Sequence, residues 1–219
     1  MKILFILLAL LADIPSGYYD SYCSKETIDS VYTASLAETS EEYGADAEAA
    51  AWYYMADWAY NVSLMDLSEH CIDVALTSDI SDQVLRADCL SMASLVARIR
   101  GDLARAIEYA EECLLIDRES GNQENISSSL NNIAGLYLMH GDARTAATYI
   151  DEAIAIEAKA GRSAYLAIRY GVASEIYAEL GDLSKALEYA DMALQIDILD
   201  NRTEKIAVRR SQKAAVLMD

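Results

Sequence analysis

At 219 residues the chain is long enough for one or two ordinary domains, or for one continuous repeat array. Hydrophobic residues make up 53 % of it, and proline and phenylalanine occur once each, a composition that favours helices over strands and predicts an all-α protein. The formal net charge of −19 argues against nucleic acid and against an anionic membrane surface as partners. The acidic residues are expected either to form solvated outer faces or to mark a basic partner.

Residues 1–16 have the pattern of an export signal. Lys2 is followed by an unbroken apolar run from Ile3 to Ala12, which is too short to span a bilayer but fits the core of a secretory signal peptide. We therefore predict an exported protein, located in the periplasm, at the cell envelope or in the medium. The alternative is that this run forms a buried first helix of a cytoplasmic protein.

Residues 17–44 form an acidic lead-in segment. Ile28, Val31, Tyr32 and Leu36 recur there at helical spacing, so one helix is expected.

An aromatic cluster follows the lead-in segment. Tyr53, Tyr54, Trp58 and Tyr60 fall within one helical pattern, and they cannot all face the same packing seam. The cluster is either an exposed binding patch, since amphipathic aromatic residues are favoured at interfaces, or it packs against the lead-in helix.

A helix–turn–helix pattern repeats along the rest of the chain. Its junctions Gly101-Asp102, Gly141-Asp142 and Gly181-Asp182 are evenly spaced, because 141 − 101 = 40 and 181 − 141 = 40. Glycine can take the left-handed conformation that ends a helix, and aspartate suits the start of the next helix. A fixed period of this kind predicts an array of helical hairpins. We place four repeats within residues 45–201, at 45–84, 85–122, 123–162 and 163–201.

Small residues recur where the two helices of a repeat must approach closely. They include Ala134, Ala146, Ser174 and Ala186. Larger apolar residues at neighbouring positions are expected to fill the gaps between them.

The arrangement L-x-x-I-A-x-x-Y-x-x-x-G-D-x-x-x-A, read from Leu130 to Ala146, resembles the tetratricopeptide repeat in a longer variant of about 40 residues. The resemblance covers residues 45–200 and is strongest in the second, third and fourth copies. It implies a right-handed helical-hairpin solenoid. The proline that often closes each repeat of the family is missing here, so the second helices are expected to extend by a turn.

The resemblance also implies that the first helices line a groove that receives an extended peptide or a partner helix. The residues expected to face this groove are Ser91, Leu95, Arg98, Ser128, Asn131, Asn132, Met139, Arg169 and Glu175. Asn131 is the best candidate, because an amide both donates to and accepts from a peptide backbone, although it and Asn132 can equally bond to a neighbouring turn. Arg98 and Arg169 are expected to pair either with a partner's carboxylate or with nearby glutamates of the chain itself.

No residue pattern points to catalysis or to a metal. His70 and His140 occupy unrelated positions in their repeats, and the chain has neither a nucleophile elbow nor a glycine-rich phosphate loop. The four cysteines lack the paired spacing of zinc ligands, and their disulfide status stays open. They are Cys23, Cys71, Cys89 and Cys113. We therefore expect no enzyme activity, no cofactor and no metal site.

Residues 202–219 form a last helical pattern that partly repeats the opening of the fourth copy and ends in an apolar run. The segment is expected to be either a helix that caps the fourth repeat or the start of a fifth repeat in a longer protein. Ala214, Val216 and Leu217 are candidates for self-association.

These inferences give two hypotheses for the function. The first is a non-catalytic scaffold that binds a peptide or a partner protein in its groove, as the extracytoplasmic sensory or interaction region of a larger bacterial regulator. The second is a solenoid that assembles with copies of itself through the apolar C-terminal helix.

Overall fold

The computed structural model describes residues 25–217, with side chains described from residue 30 onwards. This part of the chain contains α-helices and one 3₁₀ helix but no strand, so the all-α prediction is confirmed. The elements are α1 (Lys25–Tyr43), the 3₁₀ helix (Gly44–Asp46), α2 (Ala47–Asn61), α3 (Met65–Thr77), α4 (Gln83–Arg100), α5 (Leu103–Ser120), α6 (Gln123–Met139), α7 (Ala143–Ala160), α8 (Ser163–Glu179), α9 (Leu183–Leu199) and α10 (Thr203–Val216). The signal peptide predicted at 1–16 lies outside the described residues.

The chain divides at Gly101 into two compact units, here called unit 1 (up to Gly101) and unit 2 (from Asp102). In unit 1, α2 packs against α1 and α3, and α3 packs against α4. In unit 2, each helix from α5 to α10 packs against the next one. The first helices of successive repeats in unit 2 also contact one another, since α6 packs against α8 and α8 against α10.

Helix α1 lies within the acidic lead-in segment, and α10 lies within residues 202–219. Helix α4 begins at Gln83, two residues before the predicted start of the second repeat at 85.

The glycine–aspartate junctions form the turns that the sequence predicts. Gly141 has φ +86°, in the left-handed region that is open to glycine because it has no Cβ atom. Asp142 then caps α7, and its carboxylate accepts a hydrogen bond from the backbone N–H of Thr145 at 3.0 Å. The junctions at 101–102 and 181–182 have the same combination of positive φ and aspartate cap.

A second series of left-handed residues, not predicted from the sequence, ends the second helices. Gly121, Gly161 and Asn201 follow α5, α7 and α9 at the same 40-residue spacing, and Asn201 has φ +54°. Ser63 joins α2 to α3 with φ +64°, where the later repeats have glycine. Serine and asparagine thus occupy backbone positions that favour glycine.

The core of unit 2 lies between the two helices of each hairpin. Ala134, Ala146, Ser174 and Ala186 are fully buried at the predicted seams, so the helix backbones can approach closely there. Larger buried side chains fill the space beside them, each contributing about 1.5–3 kcal/mol. These include Leu130, Ile133, Ile150 and Ile176.

Candidate partner-binding surface

One stripe of side chains runs along the outer side of the first helices in unit 2. Residues spaced by four and three positions share one face of a helix, and the 40-residue period brings equivalent residues onto α6, α8 and α10. We call this set the first-helix stripe: Ser128, Asn132, Gly135 and Met139 on α6; Ile168, Val172, Glu175 and Glu179 on α8; Val208, Gln212 and Ala215 on α10. Asn132, Met139 and Glu175, all predicted groove residues, are exposed on it. The stripe therefore combines exposed apolar, amide and acidic groups.

A cavity of about 280 Å³ lies between α8 and α10 at one end of the stripe. The residues that line it are Ser174, Glu175, Ala178, Glu179, Gln212, Ala215 and Val216. Glu175 was predicted as a groove residue, and here it accepts a hydrogen bond from Nε2 of Gln212. The cavity is thus open to a partner on the same face as the predicted groove.

Arg169 does not have the position expected for a groove residue. Its side chain is buried, and Nη2 lies 3.5 Å from Oε1 of Glu157, which is fully buried. The same guanidinium donates to the hydroxyl groups of Ser127 and Ser128, each at 3.3 Å. Of the two alternatives for Arg169, the structure therefore places it with a glutamate of its own chain. It is part of the core and not free for a partner.

Glu157 belongs to a series of buried carboxylates that sequence analysis did not find. Asp117, Glu157 and Asp197 are spaced evenly, because 157 − 117 = 40 and 197 − 157 = 40. The side chain of each is at most 5 % exposed. Their partners come from the first helix of the next repeat, at positions that are also 40 apart. Ser129 donates to Asp117 at 2.6 Å, and Nε of Arg209 lies 3.2 Å from Asp197.

Glu157 and Asp197 each pair with two arginines, although Oδ1 of Asp197 has no hydrogen bond among the described residues. Glu157 also accepts from the Ser127 hydroxyl at 2.6 Å and pairs with Nε of Arg162 at 2.7 Å. Arg202, which is 40 residues after Arg162, pairs with Asp197 at 3.1 Å. The series thus joins the end of each second helix to the following first helix. The 40-residue recurrence of an acid and of a basic or hydroxyl residue was the signal in the sequence.

Asn131 lies on α6 beside the first-helix stripe and is partly buried. Its Oδ1 atom is buried and has no hydrogen-bond partner among the described residues. The alternative in which this oxygen bonds to a neighbouring turn is therefore not the arrangement observed. Asn132, one residue further on, is exposed.

The remaining predicted groove residues lie on α4, in unit 1. Ser91 and Arg98 are exposed, and Leu95 is partly buried. The predicted set is thus divided between the two units, with three residues in unit 1 and six in unit 2.

Two aromatic residues of α2, Tyr54 of the predicted cluster and the nearby Trp52, contact α1. The hydroxyl groups of Tyr43 and Tyr54 share a hydrogen bond at 3.0 Å, and the rings of Tyr32 and Trp52 lie 4.5 Å apart. Trp58 is buried, while Tyr53, Tyr54 and Tyr60 are partly buried. Of the two alternatives for this cluster, Tyr54 follows the second, since it packs against the lead-in helix.

Tyrosine pairs contact acidic residues in unit 2. Tyr137 and Tyr149 stack with ring centroids 5.6 Å apart, and both hydroxyl groups donate to Glu111, at 2.8 and 3.3 Å. The hydrogen bond to Glu111, followed by desolvation, raises the pKa of Tyr137 to about 12, so this phenol stays protonated at neutral pH. Tyr177 donates in the same way to Asp151 at 2.7 Å, one repeat later.

Three cysteines lie among the residues whose side chains are described. Cys71, Cys89 and Cys113 are buried, and none of them forms a disulfide in that part of the chain. Within residues whose side chains are described, no group of three or more His, Cys, Asp or Glu side chains is placed to hold a metal ion. None of the described helices combines the length and the apolar character needed to cross a membrane.

Comparison with known proteins agrees with this geometry. A family model described as "Tetratricopeptide repeat" matches residues 83–159. No curated protein sequence matches the chain significantly. Similar solved structures include a STAND protein (Signal Transduction ATPase with Numerous Domains) with a tetratricopeptide repeat sensor from Pyrococcus horikoshii, with a TM-score of 0.75 and 16 % identity. That match covers 87 % of this chain but only 30 % of the STAND protein.

Two further structures are similar over most of their own length. BtubC from P. vanneervenii has a TM-score of 0.70 and 19 % identity, and the match covers 88 % of this chain and 82 % of BtubC. The TPR-like repeats of a Podosopora anserina kinesin light chain have a TM-score of 0.67 and 15 % identity, covering 84 % of this chain and 92 % of theirs. At these identities the likeness shows the fold. Together with the family match over residues 83–159, it shows a solenoid of tetratricopeptide-like repeats.

Proposed function

We propose that the protein is a non-catalytic interaction scaffold that binds an extended peptide or a helix of a partner protein along the first-helix stripe of unit 2. The observation that carries this proposal is that apolar, amide and acidic side chains of the stripe are exposed together. Ile168 and Val208 are 39 % and 50 % exposed, and Asn132, Met139 and Glu175 are exposed beside them. Apolar anchors flanked by amide and charged groups are what a protein partner needs for burial and for orientation.

The buried carboxylates support the same proposal because they hold the stripe in place. Arg169 and Arg209 lie on the helices that carry the stripe, and each pairs with a carboxylate at the end of the preceding second helix. A surface built on helices that are fixed in this way is preorganised, so less ordering entropy is lost when a partner binds.

The proposal is tested by site-specific photocrosslinking in the native host. A photoreactive p-benzoylphenylalanine is placed at Asn132 or at Ile168, and at Thr148 as a matched control, because Thr148 is exposed on the second helix α7. We expect a discrete protein adduct from the two stripe positions and none from Thr148. Equal adducts from all three positions, or none from any, would rule out the stripe as the binding surface.

Substitutions then measure what the stripe contributes. Ile168→Glu places a charge on an exposed anchor without removing core volume, so we expect the fold to persist and partner binding to weaken at least about tenfold. Asn131→Ala tests the buried amide and is expected to weaken binding less. Circular dichroism of each variant verifies that the helices remain intact.

We further propose that the protein is exported and acts as the sensory or interaction region of a larger bacterial regulator. The apolar run after Lys2 supports export. The match to 30 % of a STAND protein that has a tetratricopeptide repeat sensor supports a place within a longer protein. The intact mass of the native protein, recovered separately from cytosolic, envelope and secreted fractions, tests both statements. Recovery only from the cytosol would contradict export.

A second candidate function is association between copies through α10, which Leu217 supports because it is 64 % exposed. Val216, predicted as part of the same patch, is buried, whereas Ala214 is exposed. Light scattering across a concentration series tests this candidate. A mass that rises with concentration and returns to the monomer in Leu217→Glu would support it, and a monomer at every concentration would reject it.

A further inference from the structure

The cavity between α8 and α10 has the size of a site for one side chain. Its volume of about 280 Å³ lies below the range of about 300–1,000 Å³ that is usual for pockets holding drug-sized ligands. It opens beside the first-helix stripe, and it is built entirely from residues of unit 2. A partner that lies along the stripe can therefore insert one of its side chains here.

The lining combines an apolar part with a negative rim. Ala178, Ala215 and the buried Val216 supply the apolar part. Glu175 and Glu179 are four residues apart on α8, so their carboxylates share one face of the helix, and both are exposed. A side chain that matches both parts has a long hydrocarbon stem and a positive end.

The negative charge of the rim is not neutralised within the described residues. Glu175 accepts its hydrogen bond from the neutral amide of Gln212, and Glu179 has no ion pair in that part of the chain. Two of the three basic residues of α10 that lie within three positions of Gln212 have other partners. Arg209 pairs with the buried Asp197, and Lys213 pairs with Asp191.

A buried hydroxyl without a partner gives independent support for a ligand. Ser174 lines the cavity, its side chain is fully buried, and its Oγ atom has no hydrogen-bond partner among the described residues. Buried polar groups are nearly always hydrogen-bonded, so this oxygen is an acceptor that an entering donor can satisfy. An ammonium group carries three N–H donors and no acceptor.

We propose that this cavity holds a lysine side chain from a basic segment of the protein partner. The ammonium group binds between the carboxylates of Glu175 and Glu179 and towards the Ser174 hydroxyl, and the hydrocarbon stem packs on Ala178 and Ala215. This inference rests on the proposed function, because the lysine belongs to the segment that lies along the first-helix stripe. In this proposal the lysine ammonium group is the cation that neutralises the carboxylates of Glu175 and Glu179.

Nuclear magnetic resonance with a small probe tests the site in the full chain. The probe is N-acetyl-lysine N-methylamide, compared with the N-acetyl-norleucine N-methylamide analogue, which keeps the stem and lacks the charge. We expect the lysine probe to shift the backbone amide signals of Ser174, Glu175 and Gln212 in a saturable way, and the norleucine probe to leave them in place. Shifts spread evenly over exposed acidic residues throughout the chain would overturn the proposal. An arginine probe that binds more tightly than lysine would overturn the choice of lysine.

Matched variants identify the groups responsible. Exposed carboxylate pairs contribute little each, so Glu175→Gln and Glu179→Gln are each expected to weaken probe binding about two- to fivefold, and the double variant about five- to tenfold. Glu188→Gln removes an exposed carboxylate from α9 and is expected to change nothing. Ser174→Ala keeps the small side chain at the helix seam and is expected to weaken binding about twofold or more. Unchanged binding in the double variant would reject the site.

The outcomes separate this inference from the proposed function. Crosslinking from Asn132 combined with normal probe binding by Glu175→Gln/Glu179→Gln would keep the interaction scaffold and reject the lysine site. Specific probe binding at the cavity without any crosslink from the stripe would keep the lysine site and reject the stripe as the scaffold surface.

Discussion

A Cβ atom added to Gly171 on α8 would lie 1.9 Å from Nη1 of Arg209 on α10 and 2.7 Å from its Cζ atom. The guanidinium of Arg209 thus occupies the space that any other residue at position 171 would need. Arg209 is 8 % exposed and pairs with the buried Asp197, so it cannot move out without weakening that pair. Gly171 is helical, and its role is to leave room for the ion pair.

We expect Gly171→Ala to destabilise the protein by about 1–2 kcal/mol. Alanine gains up to about 1 kcal/mol of helix propensity, but the clash with Arg209 is expected to outweigh it, since overpacking a buried site costs about 1–3 kcal/mol. Gly135→Ala is the control, because a Cβ atom there meets nothing within 4 Å and only the propensity gain remains. Urea unfolding of both variants measures the difference. A Gly171→Ala protein as stable as Gly135→Ala would show that Arg209 relocates freely.

The buried carboxylate of Glu157 pairs with two arginines, and removing Arg169 takes away one of them. We expect Arg169→Met to lower the free energy of unfolding by about 2 kcal/mol, because Glu157 keeps Arg162 but loses its hydrogen bond to a second, buried cation. The control is Arg118→Met, which removes an ion pair between exposed side chains, Arg118 and Glu152 at 2.8 Å. Its loss is expected to cost at most about 1 kcal/mol. Equal effects in the two variants would contradict a structural role for the buried carboxylates.

Asp46 gives unit 1 a dependence on pH. The Ser81 hydroxyl, with the backbone N–H groups of Ser81 and Asp82, holds the pKa of Asp46 below its ordinary value of 3.8. A carboxyl whose folded pKa is depressed stabilises the fold above its unfolded pKa, and this contribution is lost as the pH falls through the folded pKa. We therefore expect a loss of stability below about pH 4 that is smaller in Asp46→Asn.

Thermal unfolding at about pH 6 and at about pH 2.5 measures this effect. Asp79→Asn serves as the control. Asp79 is exposed and lies in the connection between α3 and α4, which also contains Ser81 and Asp82, the hydrogen-bond partners of Asp46. The control corrects for the change in stability that protonation of the many other carboxylates causes in a protein with a net charge of −19. If Asp46→Asn and Asp79→Asn lose the same amount of stability on acidification, the hydrogen bonds to Asp46 do not stabilise the fold.

The buried thiols are expected to be unreactive in the folded protein. Burial raises the pKa of Cys71 to about 11 and that of Cys89 to about 12, so almost none of the reactive thiolate is present at pH 8. Iodoacetamide labelling followed by peptide mass spectrometry should find both residues unmodified until denaturant is added. Labelling of Cys71 at the rate of a free peptide thiol would mean that the α2–α3 hairpin opens readily.

The sequence by itself determined the hairpins and their period. Glycine at 141 and aspartate at 142 act through the local backbone, and small residues such as Ala134 and Ala146 act between helices adjacent in the chain, so both signals recur every 40 residues and can be read directly. The exposed position of Glu175 followed from the same periodicity.

Only the tertiary structure decided which polar residues are buried and which remain on the surface. Arg169 and Arg98 are both arginines on first helices, yet Arg169 is buried against Glu157 and Arg98 is exposed. The cavity beside Ser174 likewise exists because α8 and α10, which are separated in the chain by α9, come into contact. The partners of Arg169 lie 12 to 42 residues away in the chain. The free energy of a buried charge depends on such partners and on its burial, and local periodicity determines neither.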